Sequence, residues 1–302
     1  MPQVSDERDP TNPPMHSLGN AGSSQAAFDP LAGESPAIVR VREWLRGLAA
    51  LRAPVLLLGE PGTGRRVAAR LLHALGPEPE AAFVVVAARS GGPEAIPLRG
   101  TVHLHGIERL PPEGQKRWHR FIEAPPERTR LIGSAGPLFS DRVARGDFDA
   151  GLARALQRFE VRLPALRDRP ADLPGLAVGL LASIGHELGR QDRQLTGGAL
   201  RRLAHERWPG NLNELRRVVE RLVACSENPR IGLPEVEAVL EELRPSVAEL
   251  RARHQLEERE ALIRNLEETG GNVTNTAERM QRSRAAIYRL VEKHGIALRR
   301  DG

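Results

Sequence analysis

The chain has 302 residues, 40% hydrophobic and 27% charged, with a formal charge of +5. That is the composition of a soluble globular protein of one large domain or two to three smaller ones, and the basic excess leans towards an anionic partner without establishing one. The single cysteine, Cys225, excludes an internal disulfide framework and a Cys-based zinc cluster.

Residues 1–32 are rich in Pro, Gly, Ser, Asn and Asp and read as a disordered tail, too short for a sensory domain. From Gly33 to about Pro164, short apolar runs alternate with helical patterns: 54–58, 83–88, 101–107, 130–135 and 158–163 are the expected strands. Short buried strands separated by helices predict a parallel α/β sheet. The first strand runs into "GEPGTGRR" (59–66) and then a helix, the context that a phosphate-binding loop requires. Arginine stands at position 65, where the motif G-x-x-x-x-G-K-[ST] has lysine.

Residues 167–243 carry apolar positions three and four apart and predict helices, broken by a turn at "WPGN" (208–211). Pro245 marks a boundary. One helix is expected over 247–268, stopped by "GGN" (270–272), and two short ones over 273–280 and 284–294. With Ser283 as N-cap, Ile287, Leu290 and Val291 should face a core and Arg284, Ala285, Tyr288, Arg289 and Glu292 should face out. Asn272 or Thr274 should cap the preceding helix. Between residues 279 and 300 stand Arg279, Arg282, Arg284, Arg289, Lys293, Arg299 and Arg300 against one acid, Glu292. Basic charge on a recognition-helix pattern points to double-stranded DNA.

The order of these stretches resembles the AAA+ domain of bacterial enhancer-binding proteins, the sigma-54-dependent activators, followed by a Fis-type helix-turn-helix. The resemblance covers roughly residues 33–298. It rests on "GESPAI", "GEPGTGRR", "GTVHLHGIERLPPEGQKRWHRFIE", "LPALRDRPADLPGLA", "WPGNLNELRRVVER" and "LEETGGNVTNTAERMQRSRAAIYRLVEKHGI". It implies an AAA+ P-loop-type parallel sheet over 33–165, a helical lid over 166–245 and an all-α Fis-type helix-turn-helix domain over 246–302. Such termini dimerise through their long helices, and Val247, Leu250, Leu262, Ile263 and Leu266 are the expected seam.

Against the family pattern, each catalytic position departs. Gly59, Gly62 and Gly64 remain, but Arg65 replaces the lysine, and a planar fork does not substitute for a compact ammonium under the phosphates. His105 and Gly106 align with the strand-end Asp and Glu that hold Mg²⁺ and orient water. The polar sensor position falls on Ala135 or Gly136. The two arginine-finger positions fall on Asp149 and Ala155, with Arg154 one residue off, and the lid arginine aligns with Asn213. The "GAFTGA" loop that touches the sigma factor has no counterpart in the short stretch 87–100.

These departures predict a phosphate loop kept as architecture, with ATP binding without hydrolysis left open at Gly59, Gly62, Gly64 and Arg65. His103 and His105 share a strand face, an H-x-H pair that lacks a third zinc ligand of predictable placement. The expected protein is a cytoplasmic, nucleoid-associated transcription regulator with no catalytic residue, metal or membrane association. Its DNA contacts are expected from Asn272, Thr274, Ser283, Arg284, Tyr288, Arg289 and Lys293, and its protein partners are a second copy or an active AAA+ homologue. The alternatives are an ATP-binding sigma-54 activator and a DNA-independent modulator of an active relative.

Overall fold

Five short apolar runs, each bounded by Gly or Pro, hydrogen-bond into one parallel sheet. In the computed structural model, residues 28–90, 93, 99–125, 128–244 and 247–296 are described. They form two compact units, the first through Leu240 and the second from Glu241.

The first unit begins with α1 (Pro36–Ala49), β1 (Val55–Leu58) and α2 (Arg65–Ala74). β2 (Ala82–Ala87), β3 (Arg99–His105), α3 (Pro112–Glu123), β4 (Arg128–Ala135), α4 (Leu138–Ala144), α5 (Ala150–Gln157) and β5 (Glu160–Arg162) follow. The sheet order is β2-β3-β4-β1-β5 with each pairing parallel. Parallel neighbours need crossovers, and the crossover helices cover both faces. Val55 and Leu57 pack with Ile38, Leu45 and Leu72 of α1 and α2. Leu56 and Leu58 point the other way, onto Trp118, Phe139 and Leu156 of α3, α4 and α5. β1 is therefore buried along its whole length, which explains its unbroken apolar run. β2 departs from the expected burial: it has one neighbour, and Val85 is 41% exposed.

Arg130 ties the α1–α2 layer together from beneath. Its side chain is buried, and Nη1 donates to Ala49 O and Leu72 O at 3.0 Å each while Nη2 donates to Leu48 O at 2.8 Å. It thus satisfies carbonyls at the C-terminal ends of two helices at once, the groups that intrahelical bonding leaves orphaned.

The lid comprises α6 (Leu173–Glu187), β6 (Gln194–Leu195), α7 (Gly197–Ala204), α8 (Asn211–Cys225), β7 (Arg230–Ile231) and α9 (Leu233–Glu242). Leu180, Ile184, Leu203, Trp208, Leu215, Val219 and Leu222 are buried there. The "WPGN" turn holds Trp208 and Asn211 at φ +50° and +53°, and Trp208 Nε1 donates to Leu203 O at 2.9 Å.

The expectation of a disordered tail over 1–32 is corrected at its end. Leu31 is buried in the α1–α2 core, its amide donates to Asp29 Oδ1 at 2.9 Å, and Arg42 and Arg169 bond the Leu31 and Pro30 carbonyls. Composition averaged over the tail hides one apolar anchor. Residues 1–27 lie outside the described residues.

The second unit holds α10 (Val247–Glu268), α11 (Val273–Arg279) and α12 (Arg284–Lys293). Gly270 and Gly271 take φ +63° and +86°, and Gly271 N bonds back to Leu266 O at 2.8 Å, ending α10 as a glycine C-cap. Leu262 and Leu266 pack on Ala277, Ile287, Leu290 and Val291. This corrects the expected dimer seam: two of its five residues are spent on the unit's own core, Ile263 is half-buried, and the side chains of Val247 and Leu250 lie outside the described residues. Among the described residues no helix is long and apolar enough to cross a membrane.

Candidate functional site

The loop 59–66 leaves β1 and enters α2. Gly62 and Gly64 have φ +80° and +95°, values that L side chains rarely adopt. A Cβ on Gly59 would lie 2.7 Å from Thr63 Oγ1. Among the described residues, the amides of Gly62, Gly64 and Arg65, at the positive end of α2, have no backbone acceptor. That is the architecture of an anion site. Arg65 extends from it to the end of β4, where its Nη1 is shut from solvent with no hydrogen-bond partner among the described residues. Burial lowers the guanidinium pKa and the charge of Glu108 opposes that shift.

The lid closes on this loop through its own bonds. A Cβ on Gly62 would meet Gly210 O at 2.4 Å, and Leu212 N donates to Gly62 O at 3.1 Å. Asn211, fully buried, donates Nδ2 to Pro61 O at 3.0 Å and Glu60 Oε2 at 3.1 Å, and accepts from Leu166 N at 2.7 Å. Arg167 forks onto Glu60 at 2.8 and 2.5 Å. The Arg167 hydrogen bond, with help from Asn211, outweighs desolvation and holds the Glu60 carboxyl at about 2. Asn213, aligned with the lid arginine, is exposed on the first turn of α8.

The residues expected at the metal position do not suit Mg²⁺, which takes hard oxygen ligands. Arg66 stands where the motif has a hydroxyl, His105 ends β3, and Gly106 follows. His103 Nε2 and His105 Nδ1 both bond Ser134 Oγ, at 2.9 and 3.1 Å. The pair shares a face as expected, and a serine of β4 bridges it. Desolvation first, then the charges of His105 and Arg66, pushes His103 down to about 3. Among the described residues no group of three or more His, Cys, Asp and Glu could hold a metal ion.

The two expected finger positions are built into the fold. Asp149 caps α5 by accepting from Leu152 N at 2.6 Å and pairs with His119 Nδ1 at 3.1 Å. Ala155 is half-buried on the same helix, and Arg154 is exposed.

In the second unit, Asn272 caps α11 through Thr274 N and Asn275 N, and Ser283 caps α12 through Ala286 N at 3.2 Å. Ile287, Leu290 and Val291 are buried, while Arg284, Ala285, Tyr288, Arg289 and Glu292 are exposed. Lys293 is not a free cation: its Nζ lies 2.7 Å from Glu258 Oε2 of α10. His294 Nε2 and Arg282 Nη1 reach the same carboxylate at 3.1 and 3.3 Å, and Arg279 pairs with Glu268 at 2.7 Å. Glu258 is the residue that pattern reading missed, because its partners lie far along the sequence.

Residues 32–166 match the family described as "Sigma-54 interaction domain" and residues 167–253 the "AAA+ ATPase lid domain". The first unit is thus similar to a sigma-54 interaction domain followed by an AAA+ lid. It is 29% identical to the C4-dicarboxylate transport transcriptional regulatory protein DctD of Rhizobium meliloti, over 93% of this chain and 67% of that one. To the nitrogen assimilation regulatory protein NtrX of Azorhizobium caulinodans it is 26% identical, over 88% and 69%. Among solved structures, NtrX from Brucella abortus in complex with ATP superimposes with a TM-score of 0.61 at 25% identity, covering 88% of this chain and 69% of that one. The AAA+ α/β fold expected from the motif order is therefore present. Gly59, Gly62 and Gly64 and the loop's contact with the lid are present in this chain, with Arg65 and Arg66 closing the loop and His105 and Gly106 at the end of β3.

Proposed function

We propose that this protein is a transcription regulator that binds DNA through α11 and α12 as a Fis-type helix-turn-helix and does not hydrolyse ATP. The observation that carries the catalytic half is the side-chain chemistry at three positions, His105 and Gly106 at the end of β3 and Arg66 at the start of α2: these three offer no hard oxygen to a metal and no carboxylate to a water. The DNA half is supported by the exposed Arg284, Tyr288 and Arg289 on α12, capped and oriented by Ser283. Its AAA+ unit then serves as an association surface, for a second copy or for an active relative.

The rival reading, an ATP-dependent activator at sigma-54 promoters, is favoured by the family match and by a relative solved with ATP. Turnover decides between them. The purified full chain should show no ATP hydrolysis above background, and Arg65→Lys alone should not restore it. Catalytic turnover by the wild type, or ATP-dependent open complexes at a sigma-54 promoter, would establish the rival. Footprinting on genomic fragments tests the DNA half directly.

A further inference from the structure

The end of β3 carries an acid that none of the roles above requires. Gly106 turns the chain out of the strand with φ +75°, and its amide donates to Ser134 O at 2.9 Å. The short turn Ile107–Arg109 then brings Glu108 across the end of β4. Arg142 fixes that turn, with Nη1 donating to Glu108 O at 2.5 Å and Nη2 to Asp147 O at 2.8 Å. Glycine at 136 leaves the necessary room: a Cβ there would lie 3.2 Å from Glu108 Oε1 and 3.9 Å from Arg65 Nη1. A guanidinium and a carboxylate thus converge on one small space at the ends of β3 and β4. Arg65 Nη1 and Glu108 Oε2 are both shut from solvent there, each without a hydrogen-bond partner among the described residues. In a working phosphate loop, the cation at this position meets the terminal phosphate.

We infer that Glu108 is the chain's own occupant of the terminal-phosphate position, a built-in counter-charge to Arg65 that excludes a third phosphate from the loop. This rests on the reading of a loop that does not hydrolyse ATP. A triphosphate would place its last phosphate against the carboxylate in surroundings drier than water, where like charges repel several-fold more strongly. Arg66 and His105 recruit no divalent ion to screen that repulsion. A nucleoside diphosphate ends on the loop amides and avoids it. The absent side chain at Gly136 lets Glu108 sit there unshifted, since a Cβ at 136 would make the carboxylate give way by a few tenths of an ångström.

The test is calorimetric titration of ADP and ATP into the full-length protein, with and without Mg²⁺, for the wild type, Glu108→Gln and Glu108→Asp. Glu108→Gln is close in shape and removes the charge; Glu108→Asp withdraws it by one methylene and serves if the first variant does not fold. The wild type should bind ATP at least about tenfold more weakly than ADP, and Glu108→Gln should recover about tenfold for ATP while ADP changes less than about threefold. Glu108→Asp should give an intermediate gain. Equal gains for both nucleotides, or no ATP binding by any of the three proteins, overturns the inference. So does an ATP affinity that falls in Glu108→Gln only when Mg²⁺ is present, because Glu108 would then be a metal ligand. ATP turnover by the wild type, followed in the same samples, instead overturns the non-hydrolysing reading on which the inference stands.

Discussion

His103 lies in the sheet interior, bonded to Ser134, with its ring centroid 6.0 Å from those of both Phe83 (tilted) and His105 (edge-on). A histidine in the unfolded chain takes up a proton near pH 6.5, while His103 in the fold resists until about 3, chiefly because burial penalises the charge. Between those values the unfolded chain binds more protons, so acid favours unfolding. The stabilisation is full above about 6.5 and is lost progressively as pH falls towards 3. From pH 6.5 to 5 the loss is bounded at about 2 kcal/mol. His73 and His105, also lowered by burial, steepen the same slope. His103→Gln should therefore reduce, without abolishing, the fall in Tm between pH 6.5 and 5. A slope equal to that of the wild type would remove His103 as its source.

Between elements, Arg130 replaces what would otherwise be two frayed helix ends. Arg130→Met keeps much of the apolar stem but removes the guanidinium from the carbonyls of Ala49, Leu72 and Leu48, of which Leu48 O keeps the backbone donor Leu51 N at 3.1 Å. The expected loss is about 2–4 kcal/mol, read as a lower urea midpoint at unchanged m-value. A loss below about 1 kcal/mol would mean that water or the neighbouring turn re-satisfies those carbonyls. Such a staple is not legible in sequence: Arg130 reads as one more charged residue in a strand, and its partners lie 58 to 82 positions away. What was legible is what depends on short range. The strand cores of β1, β3 and β4, the caps Asn272 and Ser283 and the inward face of α12 follow from residues within a few positions of each other. Glu60, Asn211 and Glu108 were passed over for the opposite reason, since each acquires its role from another element. Leu31 was passed over because a single anchor disappears in an average.

At the scale of the whole chain, the first unit offers a closed phosphate loop and the second a basic helix whose cations are only partly available. A recognition helix docks with its N-terminal end towards the bases. Arg284, on the first turn of α12, is the candidate base reader: Arg284→Ala should cost about 1–3 kcal/mol at the cognate site and relax preference there. If it lowers specific and random binding equally, Arg284 touches only backbone. Lys293 is different, because on the proposed DNA-binding reading a phosphate would have to take it from Glu258. That carboxylate, held at about 2 by the Lys293 and His294 hydrogen bonds, fastens the end of α12 and the turn before it to α10. Lys293→Ala should weaken all sequences alike and lower the salt slope by at most about one. Glu258→Gln should do the reverse for random DNA, since it leaves Lys293, Arg282 and His294 facing phosphate without their internal anion. Random-sequence affinity should then rise at low salt and the salt dependence steepen, while the cognate-to-random ratio falls because α12 has lost its tether. Anisotropy titrations of the full chain on cognate and random duplexes across a salt series measure all three quantities together. An unchanged ratio in Glu258→Gln would show that the tether does not set the helix's reading position.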